Sequence, residues 1–226
     1  AFTGNKFEFR MVGSSQNIAL ANIVLNTAVA NSLTEFADRL SGKDDFNSAL
    51  DELLKETFNS HKRILFSGNA YSEEWQREAE ARGLSNLKTA PMAYERFTDK
   101  KNVALFGKFG VMSEVEMHSR REIFFENYRK IKNIEAKTML EMTARDIIPA
   151  VSDYIGKLSD NVNKKSAALK GVDTSCECEL IGKLSELLSK TYSEYSKLER
   201  AEKNALSKSS DEEAAFYYND KKKKKM

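Results

Sequence analysis

Proline and cysteine are nearly missing from this chain of 226 residues, which has two of each, ten glycines and a single tryptophan. Two cysteines cannot build the disulfide framework of a small secreted scaffold. Cys176 and Cys178 form a Cys-x-Cys pair that supplies only two sulfurs, and at a helix start their side chains point about 200° apart. We read them as reduced, structural or incidental thiols of a cytoplasmic protein. His61 and His118 are single and remote in sequence, with no neighbouring pattern that marks a base or a metal ligand. So few prolines and glycines leave few obligatory breaks, which favours long helices and excludes collagen-like or low-complexity architecture. Long apolar runs are absent too. The most apolar stretch, Ile18 to Ala30, is interrupted by Asn22 and Asn26 and is too short to cross a bilayer, so it is expected to be a buried helix. Neither sign of charge dominates: the net charge is +2, five positive charges belong to the run Lys221 to Lys225, and the remainder carries −3. Such a body has no basic field for nucleic acid or anionic lipid, and the lysine run reads as a disordered, solubilising tail.

What the chain has instead is helical periodicity. Ser14 and Ser15 offer N-caps for a helix through Leu40 carrying Leu20, Ile23, Val24, Thr27, Ala28, Leu33 and Phe36, with Gly42 as its stop. Asp44 or Asp45 starts a second helix to about Lys62, striped by Phe46, Leu50, Leu53, Leu54 and Phe58. Ser72 before Glu73 and Glu74 caps a third around Trp75 that ends near Gly83, and Thr89-Ala90-Pro91 opens a short one to Phe97. Residues 102–110, with two glycines, are expected to be a loop or a short extended piece. Ser113-Glu114-Val115-Glu116 is a capping box, and apolar residues from Ile123 through Phe124, Tyr128, Ile131, Ile134, Thr138 and Met142 to Val162 then step by threes and fours. Pro149 should bend or split that long helix. Residues 170–173 form a turn, Thr174-Ser175-Cys176-Glu177 is a second capping box, and a stripe from Leu180 to about Leu206 returns as the other arm of an antiparallel hairpin. Residues 207–226 read as frayed or disordered, although Phe216-Tyr217-Tyr218 could dock on the rest of the chain.

The first ten residues carry a different pattern. If Lys6 to Arg10 is extended, Lys6, Glu8 and Arg10 project to one face and Phe7 and Phe9 to the other. A carboxylate flanked by cations suits a divalent metal and the phosphates it bridges, because hard cations take carboxylate oxygens and Arg grips phosphate bidentately. The same pattern also suits a half-buried surface strand with cross-strand ion pairs.

The run from Ala1 to Asn17, with Gly4-Asn5-Lys6-Phe7-Glu8-Phe9-Arg10 and Gly13-Ser14-Ser15-Gln16-Asn17 leading into an apolar helix, resembles the last active-site segment of glutamine synthetases. Its wording is similar to the type III branch. Arg63-Ile64-Leu65, Gly68-Asn69-Ala70-Tyr71-Ser72, Trp75, the segment from Lys88 to Phe97, and Glu114-Val115-Glu116 with Arg120-Arg121 resemble that branch's C-terminal extension. Lys6 stands where many members have Arg, and Ile18 where many have Pro. The resemblance implies a mainly α chain with one N-terminal active-site strand, the remnant of the catalytic domain, followed by a helical extension with a long antiparallel hairpin. It implies residues 1–62 as the end of the catalytic domain, 63–206 as the helical C-terminal domain and 207–226 as the tail. It further implies a cytoplasmic, ATP-dependent glutamate–ammonia ligase that works through a γ-glutamyl phosphate and uses glutamate, ammonia, ATP and Mg2+ or Mn2+ in a double-ringed homo-oligomer. Within it Glu8 would ligate the metal, Arg10 would act on the transferring phosphoryl group, and Lys6 would lie beside the ATP phosphates. The expectation is a C-terminal fragment, inactive alone, with the other catalytic groups upstream and no nucleic-acid or membrane partner. The alternative is a non-enzymatic helical module that mediates oligomer assembly.

Overall fold

The computed structural model of the chain describes residues 13 and 16–223, and of 221–223 the backbone alone. The expected strand with Lys6, Glu8 and Arg10, and the caps Ser14 and Ser15, lie outside the described residues. Among those that are described there are nine α-helices and no strand: α1 (Ala19–Leu40), α2 (Phe46–Ser60), α3 (Glu73–Ala81), α4 (Ala90–Phe97), α5 (Lys100–Lys108), α6 (Glu114–Met142), α7 (Ile148–Ala168), α8 (Ser175–Leu206) and α9 (Asp211–Lys223). They gather in two compact units, Ala1–Leu87 with Thr98–Met117, and Lys88–Phe97 with His118–Met226.

In the first unit α1 packs on α2 and α5. Asn17 Oδ1 accepts the Ala19 amide at 2.7 Å, so an Asn side chain serves the opening of α1. Thr27 is buried because its hydroxyl donates to the Ile23 carbonyl at 2.7 Å, which leaves no polar atom wanting. The expected burial of residues 18–30 is not found: Ile18, Ile23, Val24 and Val29 are all exposed. Asp45 caps α2 by accepting from the Ser48 amide at 3.1 Å and the Ser48 hydroxyl at 2.6 Å, and Leu53 is the position α2 buries fully. Ser72 accepts the Trp75 amide at 3.3 Å to cap α3. Behind that cap Phe66 stacks on Trp75 with ring centroids 4.0 Å apart, and Gly68 is required because a Cβ there would lie 2.8 Å from the Phe66 ring. Arg82 lies 5.4 Å over the Trp75 ring and donates to the carbonyls of Arg63 and Leu65, which ties the 3-10 turn at Lys62–Ile64 to the end of α3.

Residues 102–108 are helical, not a loop, and 109–110 turn out of the helix. The Asp99 carbonyl accepts the amides of Asn102 and Val103, Phe106 is buried, and the two glycines occupy harmless places. Gly107 falls in the last turn of α5. Gly110 takes φ +61° just beyond it, where the Val111 amide returns to the Phe106 carbonyl at 3.0 Å. The capping box that opens α6 is reciprocal as read: Ser113 N donates to Glu116 Oε2 at 2.8 Å, and Glu116 N to Ser113 Oγ at 3.2 Å.

In the second unit α7 packs along α8, α8 on α9 and α4 on α9. Pro149 does interrupt the long helix: Thr143–Ile147 form a π-turn between α6 and α7. A proline lacks an amide hydrogen and its ring crowds the carbonyl four residues back, so the preceding turn widens. The second capping box does not form. Thr174 makes no side-chain cap; Asp173 Oδ1 accepts the Ser175 amide at 2.9 Å, and Glu177 turns to pair with Lys165 across the hairpin. That Lys165 hydrogen bond also holds the Glu177 carboxyl below its ordinary pKa.

The stripe expected to pack on α6 holds only in part: Phe124 and Tyr128 pack on Tyr94 of α4, but farther along the helix it departs from the buried face. Phe125 is 1% exposed and Ala136 is buried, while Ile131 and Ile134 stand 51% and 63% exposed. Apolar size marked the wrong ridge, because the buried face also carries Arg121, Arg129 and Asn133, each with an acidic partner. The tail differs as well. Ser210 Oγ accepts the Glu213 amide at 3.2 Å, Asp211–Lys223 is helical, and Ala214 and Ala215 are fully buried, so residues 211–220 are part of the fold.

Phe125 meets Tyr94 edge-on at 5.6 Å and Phe216 at 6.1 Å, which makes it the aromatic centre of this unit. Phe125→Ala should lower stability by about 3–5 kcal/mol in urea unfolding followed by circular dichroism. An effect under about 1 kcal/mol would show that this centre is not what holds α4, α6 and α9 together.

Candidate functional site

The second unit carries a large concavity, which opens where α6 leaves α8. The arms α7 and α8 run antiparallel from the turn at Gly171, whose φ is +78°. Beyond the π-turn α6 parts from α8, and the gap between them is a groove of about 1020 Å³. Small residues such as Ala136 and Ala201 line it, with Met139, Leu187, Tyr195 and Leu198 as larger neighbours.

A buried polar cluster closes one end. Glu202 is 5% exposed; Asn133 Nδ2 donates to its Oε1, and Tyr218 OH donates to its Oε2 at 2.9 Å. Each carboxylate oxygen therefore has a donor, one from α6 and one from α9. Two ion pairs fasten α9 to α6 beside it. Arg121 Nη2 lies 2.6 Å from Glu212 Oε1, and Arg129 Nε lies 2.5 Å from Asp211 Oδ1 as an ion pair rather than an aligned hydrogen bond. The Arg121 guanidinium also sits 4.9 Å over the Phe125 ring. Burial, the largest influence, pushes the Tyr218 phenol from 10.0 up to about 12, with Asn133 drawing it down and the Glu202 carboxylate helping to raise it.

Of the residues the sequence marked for chemistry, Lys6, Glu8 and Arg10 lie outside the described residues. Cys176 and Cys178 are unbridged and exposed. Among the described residues no three His, Cys, Asp or Glu side chains come together to hold a metal ion, and no helix is long and apolar enough to cross a membrane. Asn133, Glu202 and Tyr218 were not legible as a cluster. The available signal was Glu202 itself, an acid at a stripe position between Leu198 and Ala205, where an unpaired carboxylate would not be tolerated. The cluster has no nucleophile and base in contact, so its chemistry is to orient and to fasten.

The raised Tyr218 phenol sets a pH dependence. The unfolded chain loses this proton near pH 10 and the folded chain near pH 12, so the folded state binds more protons between them and stability must fall as pH rises through that window. Tyr218→Phe should remove this component and, by leaving Glu202 short of a donor, destabilise by about 1–3 kcal/mol at neutral pH. Urea midpoints measured from pH 9 to 12 on both proteins check it; equal slopes for the two would mean that Tyr218 is not the group responsible.

Residues 49–166, more than half of the chain, match the family model of the glutamine synthetase C-terminal domain. The type-3 glutamine synthetase of Dictyostelium discoideum is 39% identical over 166 residues, 72% of this chain and 23% of that protein. Glutamine synthetases of Bacteroides fragilis (strain YCH46) and Butyrivibrio fibrisolvens are 38% and 37% identical, over 72% and 80% of this chain and 23% and 26% of theirs. The chain thus spans about a quarter of the length of the curated relatives it matches. A family match over most of α2 through α7, joined by three relatives of one kind, identifies the chain as a member of the glutamine synthetase C-terminal domain family.

Proposed function

We propose that the chain is the C-terminal part of an ATP-dependent glutamate–ammonia ligase of the type III kind, which makes glutamine through a γ-glutamyl phosphate. The observation that carries this is identity of 37–39% to three glutamine synthetases across 72–80% of the chain. Residues 1–62 would complete the catalytic domain, 63–206 would form the helical extension, and the other catalytic groups would come from the remaining length of the enzyme. Alone, the chain would be inactive.

Phosphoryl transfer asks mainly for positioning and for neutralisation of charge on the phosphate oxygens. Glu8 would hold the Mg2+ or Mn2+ of the nucleotide through its carboxylate, an oxygen donor of the kind that hard divalent ions select. Such an ion would supply positive charge that neutralises the phosphate oxygens during transfer. Arg10 would hydrogen-bond the phosphoryl group as it moves to the glutamate carboxylate, and its planar fork fits two oxygens at once. Lys6 would add positive charge beside the ATP phosphates. Ammonia then displaces phosphate from the acyl phosphate. Glutamate, ammonia and ATP are the proposed ligands, and a cytoplasmic homo-oligomer the proposed setting.

Two variants of the complete enzyme test these roles. Glu8→Gln keeps the shape and removes the charge that holds a hard cation, so glutamine formation should fall by about three powers of ten while assembly survives; near-normal turnover at saturating metal overturns the assignment. Arg10→Lys should lower kcat by about two to three powers of ten with a smaller change in ATP affinity. A change in ATP affinity alone would reassign Arg10 to ground-state binding.

A further inference from the structure

One side of α8 leads from an apolar groove to a buried charge. Leu187, Thr191, Leu198 and Glu202 follow one another at steps of four, seven and four, so they share a face of the helix, and all of them line the groove opposite Met139 of α6. Glu202 stands last in that row, at the closed end. Its two oxygens accept from Asn133 and Tyr218, and both of these donors are neutral. Neutral donors satisfy the geometry of a carboxylate without cancelling its charge. The arginines beside the cluster do not cancel it either, because Arg121 is paired with Glu212 and Arg129 with Asp211.

Charge narrows what the groove can hold. The lysines of its rim are matched locally: Lys132 Nζ lies 2.7 Å from Glu135, Lys197 Nζ 2.6 Å from Glu194, and Lys190 Nζ 2.5 Å from Glu186. Arg200 also reaches the rim, but it lies two positions from Glu202, about 200° around α8, with its Nε on the Ser196 carbonyl at 3.5 Å. An anion entering the groove therefore meets the Glu202 charge at the closed end, and a cation meets the counter-charge it needs. Burial raises the Tyr218 phenol at that same end, which marks it as poorly hydrated, and there a charge pair is little screened. Size narrows the choice further. The volume of about 1020 Å³ stands at the upper end of small-molecule clefts, which run from about 300 to 1,000 Å³.

We propose that the α6–α8 groove binds a small organic cation, a molecule with an apolar body and a protonated amine, the body lying along Met139 and Leu198 and the ammonium donating to the Glu202 carboxylate. Each Glu202 oxygen has one protein donor and keeps a lone pair for a second. An ammonium brings several donors and the missing positive charge at once. Tyr195 adds an aromatic wall for the body. The proposal uses no property of the ligase site and stands or falls apart from it.

Isothermal titration calorimetry on the 226-residue chain decides it, with three probes that share one apolar body: phenylbutylamine, phenylbutanol and phenylbutyrate. The amine should bind about ten- to a hundredfold more tightly than the alcohol, and the carboxylate more weakly than either. Glu202→Gln keeps the shape and removes the charge, so it should bring the amine to the affinity of the alcohol and leave the alcohol unchanged. If circular dichroism shows that this variant does not fold, Ala201→Met decides in its place: it fills the groove and leaves Glu202 and its donors present, so amine and alcohol should both weaken by about tenfold. Equal affinity for amine and alcohol overturns the proposal, as does tighter binding of the carboxylate or no binding of the amine at millimolar concentration. So does an amine affinity that survives in either folded variant, which would place the amine elsewhere on the surface.

Discussion

Pro149 has no amide hydrogen to donate, and the second unit is arranged around that deficit. An uninterrupted helix from Glu114 to Ala168 would keep one face toward α8 along its whole length. The π-turn at Thr143–Ile147 re-aims it, so α7 stays against α8 while α6 leaves. The parting of two helices opens room between them. At its far end Asn133, Glu202 and Tyr218 fill that room with hydrogen bonds, and α9 lies across it with Ala214 and Ala215 at the contact. Nearer the π-turn it remains a groove. A single missing donor thus precedes the cavity, the docking of the last helix and the burial of a carboxylate.

Fastening α9 through charge rather than bulk has consequences. Alanines bury little area, so Arg121, Arg129 and Asn133 supply direction that apolar contact does not. Glu202 tolerates burial because both oxygens are met; removing either donor would leave desolvation uncompensated. Phe125 connects the polar and apolar parts, touching Tyr94 and Phe216 while Arg121 lies over its ring.

The sequence was most informative where one side chain decides a local geometry. Asp45, Ser72 and the Ser113–Glu116 box each cap the helix they were expected to cap, because a cap is a contact over three residues and needs no tertiary context. Pro149 was legible for the same reason. Reading failed where distant partners compete. Glu177 had two possible roles, and Lys165, twelve residues back across the turn, took it from the capping box. Residues 102–110 looked like a loop because their glycines were counted without their positions at the end of α5. The phase of α6 was misread because arginines and an asparagine on its buried face look exposed until their acidic partners on α8 and α9 are known. Lys6, Glu8 and Arg10 rest on pattern and resemblance, since they precede the described residues.

The misread phase carries meaning of its own. A helix normally has one apolar face, and its neighbours in the chain claim it. Here α6 has two. One, centred on Phe125 and Ala136, is consumed by α4, α8 and α9; the other, Ile131 to Met142, keeps a regular spacing with nothing of its own unit laid on it. Exposed aliphatic residues scattered singly are ordinary, but a row of them at helical spacing leaves apolar surface in water. The physical demand on that row is the same one that placed Phe125 inside, and nothing within the unit meets it.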